Sequence, residues 1–157
     1  MSEQSAQRLD HFTVAPDLFK PMLDQEELFE ASELEHSLME LVKLRASQIN
    51  GCAFCLNMHW QDARANGESE ERLYLLNAWR EASVYTDRER AALAWTEALT
   101  RIETTQAPHE DYQAIQAQFS PREQVVLSLL INAINSWNRI AIGFRMPHGL
   151  PQDDMAA

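Results

Sequence analysis

Two cysteines and a histidine follow one another at helical spacing near the middle of the chain. Cys52 and Cys55 are the only cysteines in the 157 residues, and His59 comes four positions after the second. Because residues three and four apart share one face of a helix, the three side chains are predicted to form a single stripe. A thiol pair beside an imidazole can carry out redox chemistry, so function is sought in this segment.

A thiol reacts as its thiolate, so the reactivity of this pair depends on what favours ionisation. An unperturbed cysteine has a pKa of about 8.5, which leaves only a few per cent ionised at neutral pH. A helix N-terminus carries unpaired N–H groups and about half a positive charge, which favours a thiolate at Cys52 or, one turn in, at Cys55. His59 is placed to exchange a proton with Cys55.

A carboxylate is expected to join this stripe from the preceding helix. If the helices on either side of Gly51 form a hairpin, Glu40 and His59 lie roughly 16 and 12 Å from the turn at 1.5 Å per residue. Their side chains could then meet directly or through a water molecule. Glu40 is therefore a candidate to orient His59 and accept its proton, giving a carboxylate–imidazole–thiol relay.

The elements that must position these residues are all predicted to be helices. Capping boxes that begin at Ser32, Thr86 and Ser120 mark three helix starts, with a glutamate three residues after each. Gly51 and Gly67 are predicted helix stops, because glycine adopts the left-handed cap conformation at little cost. No convincing period-2 strand is present. We therefore predict an all-α fold, a compact bundle of six to seven helices forming a single domain over residues 1–157.

Two later helices have features that predict where they pack. Ser69 is expected to cap a helix that runs through Trp79. The last helix, through about Phe144, is apolar on several sides and is predicted to be central to the core or to a subunit contact. Three asparagines interrupt it, and their amides are expected to bond across a helix contact: Asn132, Asn135 and Asn138.

Composition excludes several classes of partner and location. The net charge of −11 repels phosphate backbones, so no nucleic acid is expected as a partner. The continuous apolar runs are too short to span a bilayer, so no membrane association is expected. The first residues, Met1–Ser5, have neither a basic nor an apolar region of a secretory signal, which favours a cytoplasmic location. In a reducing cytosol a close cysteine pair more often indicates redox catalysis or metal binding.

The spacing of these residues resembles that of a known family. Glu40, eleven intervening residues, then Cys52-x-x-Cys55-x-x-x-His59 is similar to the active-site pattern of the alkyl hydroperoxidase D-like branch of the carboxymuconolactone decarboxylase family. The later stretch 79–95 also resembles that family. The match covers residues 33–103 and is most specific in the cysteine segment.

The resemblance implies a fold, an activity and a role for each residue. It implies an all-helical protein assembled as a homo-oligomer, a trimer or hexamer, that reduces hydroperoxides. Cys55 would be oxidised by the peroxide, Cys52 would resolve it to a disulfide, and Glu40 with His59 would relay protons. A dithiol electron donor, a lipoyl-bearing or thioredoxin-like protein, would restore the pair. No metal or organic cofactor is expected.

One departure from the family pattern keeps other functions open. The relatives carry a histidine directly before the second cysteine, where this chain has Phe54, so one proton-handling group is missing. A protein disulfide reductase or thiol redox sensor would use the same pair without peroxidase activity.

Three further alternatives use the cysteines differently or not at all. The lactone-decarboxylating branch of the family does not rely on a cysteine pair, so the pair argues against it. A binding or assembly protein would carry inert thiols. A structural zinc site would need a second CxxC or a suitably spaced histidine pair, which the sequence lacks.

Overall fold

The protein, described by a computed structural model over residues 6–148, is built of α-helices joined by short turns. The helices are α1 (His11–Val14), α2 (Pro16–Glu30), α3 (His36–Asn50), α4 (Ala53–Ala65), α5 (Glu70–Leu75), α6 (Asp87–Thr100), α7 (Ile102–Thr105), α8 (His109–Gln118) and α9 (Pro121–Phe144). No strand occurs within 6–148, which confirms the all-α single domain. The prediction that no secretory signal is present concerns the first five residues, which lie outside the described range.

The number of helices is higher than the six to seven predicted. The structure has nine α-helices within residues 6–148 and a short 3-10 segment, Leu76–Ala78, after α5. Two of the nine, α1 and α7, contain only four residues each. A single turn is too short to show a helical period, so the sequence pattern could not reveal them.

Helix α3 is the central element of the bundle. Its ten consecutive residues 38–47 are all buried, and it packs against α4, α6 and α9. Because this run is covered on every side, its polar members need partners inside the protein. Two of those members, Glu40 and Lys43, take part in the site described below.

The turn between α3 and α4 places the cysteines. Gly51 ends α3 with a φ of 71°, the left-handed conformation predicted for it. Cys52 is then the N-cap of α4, and its sulfur accepts a hydrogen bond from the backbone N–H of Cys55. The expected α3–α4 hairpin, with the first cysteine at the start of the second helix, is thus confirmed.

Most of the predicted helix starts are confirmed. The capping boxes that begin at Thr86 and Ser120 are both complete. In each, the hydroxyl accepts a hydrogen bond from the backbone N–H of the glutamate, and the glutamate carboxylate accepts one from the backbone N–H of the capping residue. Ser69 caps α5 as predicted. The predicted extension of that helix to Trp79 is wrong, because α5 ends at Leu75 and the chain tightens into the 3-10 segment.

The capping box predicted at Ser32 is wrong. Helix α3 begins only at His36, and the hydroxyl of Ser32 accepts a bond from the N–H of Leu34 in a local turn. The carboxylate of Glu35, which would have completed the box, is instead bound by the guanidinium of Arg88 on α6 at 2.9 Å. A tertiary ion pair therefore stands in place of the predicted local hydrogen bond.

Helix α9 is long and apolar enough to cross a membrane by length and composition alone. The sequence analysis did not predict such a segment, because it considered only continuous apolar runs. In the structure it packs against α3, α4 and α6. Asn50 donates to the side-chain oxygens of Asn135 and Asn138, at 2.9 and 2.8 Å, and Asn138 donates to Ser47 at 3.0 Å. The predicted bonding across a helix contact is confirmed for Asn135 and Asn138 and is typical of a core helix, whereas the predicted bond of Asn132 is not found in the described structure, where this residue is exposed.

A partly buried carboxylate ties α3 to α6. Glu97 accepts hydrogen bonds from Arg45 at 2.9 Å, from the indole of Trp79 at 2.8 Å and from Arg80 at 2.7 Å. Burial alone would raise the pKa of Glu97, but the bonds from Trp79 and Arg45 and the charge of Arg45 outweigh it, so its pKa lies below the ordinary value. Folding is therefore linked to ionisation of this group.

We expect Glu97→Gln to lower the free energy of unfolding by about 2–4 kcal/mol at pH 7, because Arg45 stays buried without its counter-charge. A folded-state pKa below the ordinary 4.5 stabilises the fold above that pH, and the contribution disappears as pH falls through the folded-state value. Urea unfolding should show a free energy of unfolding below that of the wild type at pH 7, and the gap between the two proteins should be smaller at pH 3.5. The exposed Glu103→Gln is the control, and equal midpoints for both variants would contradict the expectation.

Candidate active site

The two cysteines are joined in a disulfide at the N-terminus of α4. Their Cα atoms lie 5.4 Å apart, a separation that ordinary disulfides have. Both are buried, Cys55 being 2% exposed, in an apolar cluster with Ala46, Ile134 and Ala141. The backbone therefore already holds the pair at bonding distance, and oxidation and reduction need no change of helix geometry.

His59 and Glu40 form a direct hydrogen-bonded pair across the hairpin. Nδ1 of His59 lies 3.0 Å from Oε2 of Glu40, and the two residues are 6% and 3% exposed. The prediction that these side chains can meet is thus confirmed, and they do so without an intervening water. With Nδ1 held by the carboxylate, Nε2 is the nitrogen left to exchange a proton with another group.

Lys43 is a member of this site that the sequence analysis missed. Its side chain is 7% exposed, and Nζ lies 3.3 Å from Glu26, 3.7 Å from Glu30 and 3.9 Å from Glu40. The ammonium thus compensates carboxylates from both α2 and α3. A lysine three residues after Glu40, within a run of apolar helix positions, is the signal that could have identified it.

A cavity of about 460 Å³ opens over the cysteine pair. Among the described residues that line it, Cys55 is present and Cys52 is not, so Cys55 is the sulfur that a small molecule in the cavity would meet. His59, Glu40 and Lys43 also line it. Much of the remaining lining is apolar, including Phe12, Leu23, Phe54, Met58, Trp137 and Met146.

Two aromatic residues shape this cavity beside the sulfur. Phe54, which occupies the position of the family histidine, presents an apolar ring to the cavity. Trp137 of α9 also lines the cavity, and its indole N–H donates to Glu26 at 2.9 Å. Helix α2 thus contributes to the site through Glu26, a contact between distant parts of the chain that no local spacing could reveal.

Three side chains are close enough together to hold a metal ion. Donor atoms of Glu40, His59 and Asp62 all lie within 4.8 Å of one another. A cation there would compete with the existing Glu40–His59 hydrogen bond and with Lys43, whose ammonium already lies 3.9 Å from Glu40. The expectation that no metal is required stays a prediction.

Comparison with known proteins extends the resemblance towards the N-terminus. The model of the carboxymuconolactone decarboxylase family matches residues 16–98, which include α2 as well as the α3–α4 hairpin. An uncharacterised protein, YdfG of Bacillus subtilis (strain 168), is 43% identical over 137 residues, which cover 87% of this chain and 93% of YdfG.

Solved structures share the fold as well. A protein of unknown function from Agrobacterium tumefaciens, proposed to be an antioxidant defence protein AhpD, superposes with a TM-score of 0.89 at 44% identity, covering 93% of this chain and all of that one. The debrominase Bmp8 superposes with a TM-score of 0.74 over 92% of this chain and 77% of its own, but at 16% identity this shows the fold alone. The chain therefore belongs to the carboxymuconolactone decarboxylase family.

Proposed function

We propose that the protein is a thiol peroxidase that reduces organic hydroperoxides with the Cys52–Cys55 pair. The observation that carries the proposal is the position of Cys55, bonded to Cys52, on the wall of an apolar cavity one helical turn from the buried Glu40–His59 pair. Membership of a family whose members are enzymes supports a catalytic use of these groups.

In the first half-reaction the reduced Cys55 thiol gives its proton to His59, whose imidazolium is stabilised by Glu40. The thiolate attacks the terminal oxygen of the hydroperoxide, and the O–O bond breaks as the S–O bond forms. The alkoxide that leaves takes the proton back from His59 and departs as the alcohol. Cys55 is thereby oxidised to a sulfenic acid, and the peroxide is reduced by two electrons.

In the second half-reaction the Cys52 thiolate attacks the sulfur of the Cys55 sulfenic acid. The S–S bond forms as the S–O bond breaks, and the leaving hydroxide takes up the proton that the Cys52 thiol gave up, so that water departs. A dithiol donor then reduces the disulfide by thiol exchange and is itself released as a disulfide. Because Cys55 is only 2% exposed, a slender donor such as a lipoyl arm suits the cavity better than a cysteine on a flat protein surface.

Free-thiol titration tests this function. The pre-reduced protein should lose two thiols rapidly after one equivalent of cumene hydroperoxide is added, with release of one equivalent of alcohol. Slow loss of the thiols with fast exchange against a dithiol would favour the protein disulfide reductase or redox sensor instead. Unreactive thiols would leave the decarboxylase or binding alternatives.

As the resemblance implies, we also propose that the protein acts as a trimer or hexamer in the cytoplasm.

A further inference from the structure

We infer that the cavity at Cys55 selects organic hydroperoxides with an apolar body that is neutral or cationic, and discriminates against those that carry a carboxylate. The reaction in this inference rests on the proposed function, whereas the selection rests on the shape and charge of the cavity. The two are therefore separable by experiment.

The size and lining of the cavity favour a bulky apolar substrate. Its volume of about 460 Å³ lies in the range of pockets that enclose organic ligands, roughly 300–1,000 Å³. Hydrogen peroxide is close to a water molecule in size and would leave most of this space without contacts. The aromatic rings of Phe12, Phe54 and Trp137 and the thioethers of Met58 and Met146 offer polarisable surface to a hydrocarbon or aromatic group.

The ionisable groups of the cavity are mainly acidic. Four carboxylates line it, and a single ammonium, that of Lys43, opposes them. Counted formally in the same way as the net charge of the chain, four negative charges against one positive leave an excess of three negative charges. The carboxylates are Glu26, Glu30, Glu40 and Asp62. The net charge of −11 over the whole chain adds long-range repulsion of anions.

Lys43 is not available to bind an incoming anion. Carboxylates of Glu26, Glu30 and Glu40 lie 3.3, 3.7 and 3.9 Å from Nζ, so ion pairs within the protein already more than balance its positive charge. A substrate carboxylate would therefore lose its water without gaining a counter-ion. It would also approach the half-exposed Glu30 and the exposed Asp62, whose like charge opposes its entry.

A matched series of substrates tests the selection. Cumene hydroperoxide, its para-carboxylate and the methyl ester of that carboxylate differ at one remote substituent, so the intrinsic reactivity of the peroxide group is nearly constant. We expect kcat/KM for the ester to exceed that for the carboxylate by about 30-fold at low ionic strength, with a smaller ratio at high salt. A para-trimethylammonium analogue should react at least as fast as the ester.

Variants show whether the acidic residues cause the discrimination. The double variant Glu30→Gln/Asp62→Asn should reduce the ester-to-carboxylate ratio by about tenfold, because it removes the two most solvent-accessible charges of the cavity. The control Glu71→Gln/Glu81→Gln makes the same change in net charge at exposed positions on another part of the surface. It should leave the ratio unchanged, and an equal fall in both double variants would overturn the local assignment.

Binding of the product alcohols separates this inference from the proposed function. The alcohols formed from cumene hydroperoxide, its para-carboxylate and the methyl ester can be titrated into the disulfide form by calorimetry, without turnover. The carboxylate alcohol should bind at least tenfold more weakly than the ester alcohol. That order of affinity supports the inference even if no hydroperoxide oxidises Cys55. Failure of oxidation would refute only the peroxidase. Equal turnover and equal binding of carboxylate and ester would refute the inference and leave the peroxidase standing.

Discussion

Replacing Cys55 by serine is expected to abolish hydroperoxide-dependent oxidation, with a fall of at least about 10³-fold in the second-order rate constant. Serine keeps nearly the same size but cannot form a nucleophilic anion at neutral pH. Cys55 is the sulfur on the cavity wall, one turn from His59, so no other described thiol can replace it there. Stopped-flow measurement with cumene hydroperoxide, on protein reduced beforehand, provides the comparison with the wild type.

Cys52→Ser should separate the two half-reactions. This variant is expected to consume one equivalent of hydroperoxide and stop at the sulfenic acid of Cys55, because no neighbouring thiol remains to condense with it. A dimedone adduct mapped by mass spectrometry to Cys55 would identify this state. Steady-state turnover with a dithiol donor should fall sharply, since the intramolecular disulfide can no longer form.

The opposite assignment of roles has a physical basis in the structure. The sulfur of Cys52 accepts a hydrogen bond from the backbone N–H of Cys55 at 3.3 Å, and the helix N-terminus favours negative charge there. We assign this stabilised thiolate to the resolving step, in which Cys52 attacks the sulfenic acid. A dimedone adduct on Cys52 in the Cys55→Ser protein would reverse the roles. Circular dichroism under reducing conditions should show both variants folded, because the disulfide closes only a short loop.

The sequence predicted the parts of the site that depend on local geometry. Gly51 imposes a sharp stop, and the helical rise then fixes how far Glu40 and His59 lie from the turn, so their meeting could be estimated from spacing. The capping residues Thr86 and Ser120 likewise act on backbone groups within three residues. These features involve only neighbours along the chain, which is why a pattern can reveal them.

The remaining parts of the site depend on how distant helices pack. The cluster of Lys43 with Glu26 and Glu30 exists because α2 lies against the α3–α4 hairpin, and nothing in local spacing sets that orientation. The cavity needs α9 as well, through Trp137. The failed box at Ser32 has the same origin, since a long-range ion pair outweighed a local bond there. Such competition is decided by tertiary contacts, which patterns do not contain.

Glu40→Gln is expected to lower the rate of Cys55 oxidation by about 10²-fold at pH 7, the lower end of what general acid–base catalysis contributes. The amide preserves the volume and one hydrogen bond to Nδ1 of His59 but cannot stabilise the imidazolium that forms when the thiol gives up its proton. The carboxylate is 3% exposed and lies 3.0 Å from Nδ1, so no bulk water replaces it.

The pH dependence distinguishes loss of the relay from general damage. Without an effective base, the variant must wait for Cys55 to ionise by itself, so its rate should keep rising with pH on the alkaline side and approach the wild-type rate near pH 10. Rapid-reaction measurements with cumene hydroperoxide from pH 6 to 10 would show this recovery. A rate depressed by the same factor at every pH would mean that the substitution disturbs the cavity rather than the proton transfer.

Two further variants complete the case for Glu40. Glu40→Asp keeps the charge on a shorter side chain, so it should recover part of the rate at pH 7 if ionisation matters more than packing. Glu71→Gln, at an exposed position on α5, makes the same chemical change away from the site and should match the wild type in rate and pH profile. If Glu40→Gln also matched the wild type in both, Glu40 would serve only to hold the hairpin together, and His59 would have to act on Cys55 without an acidic partner.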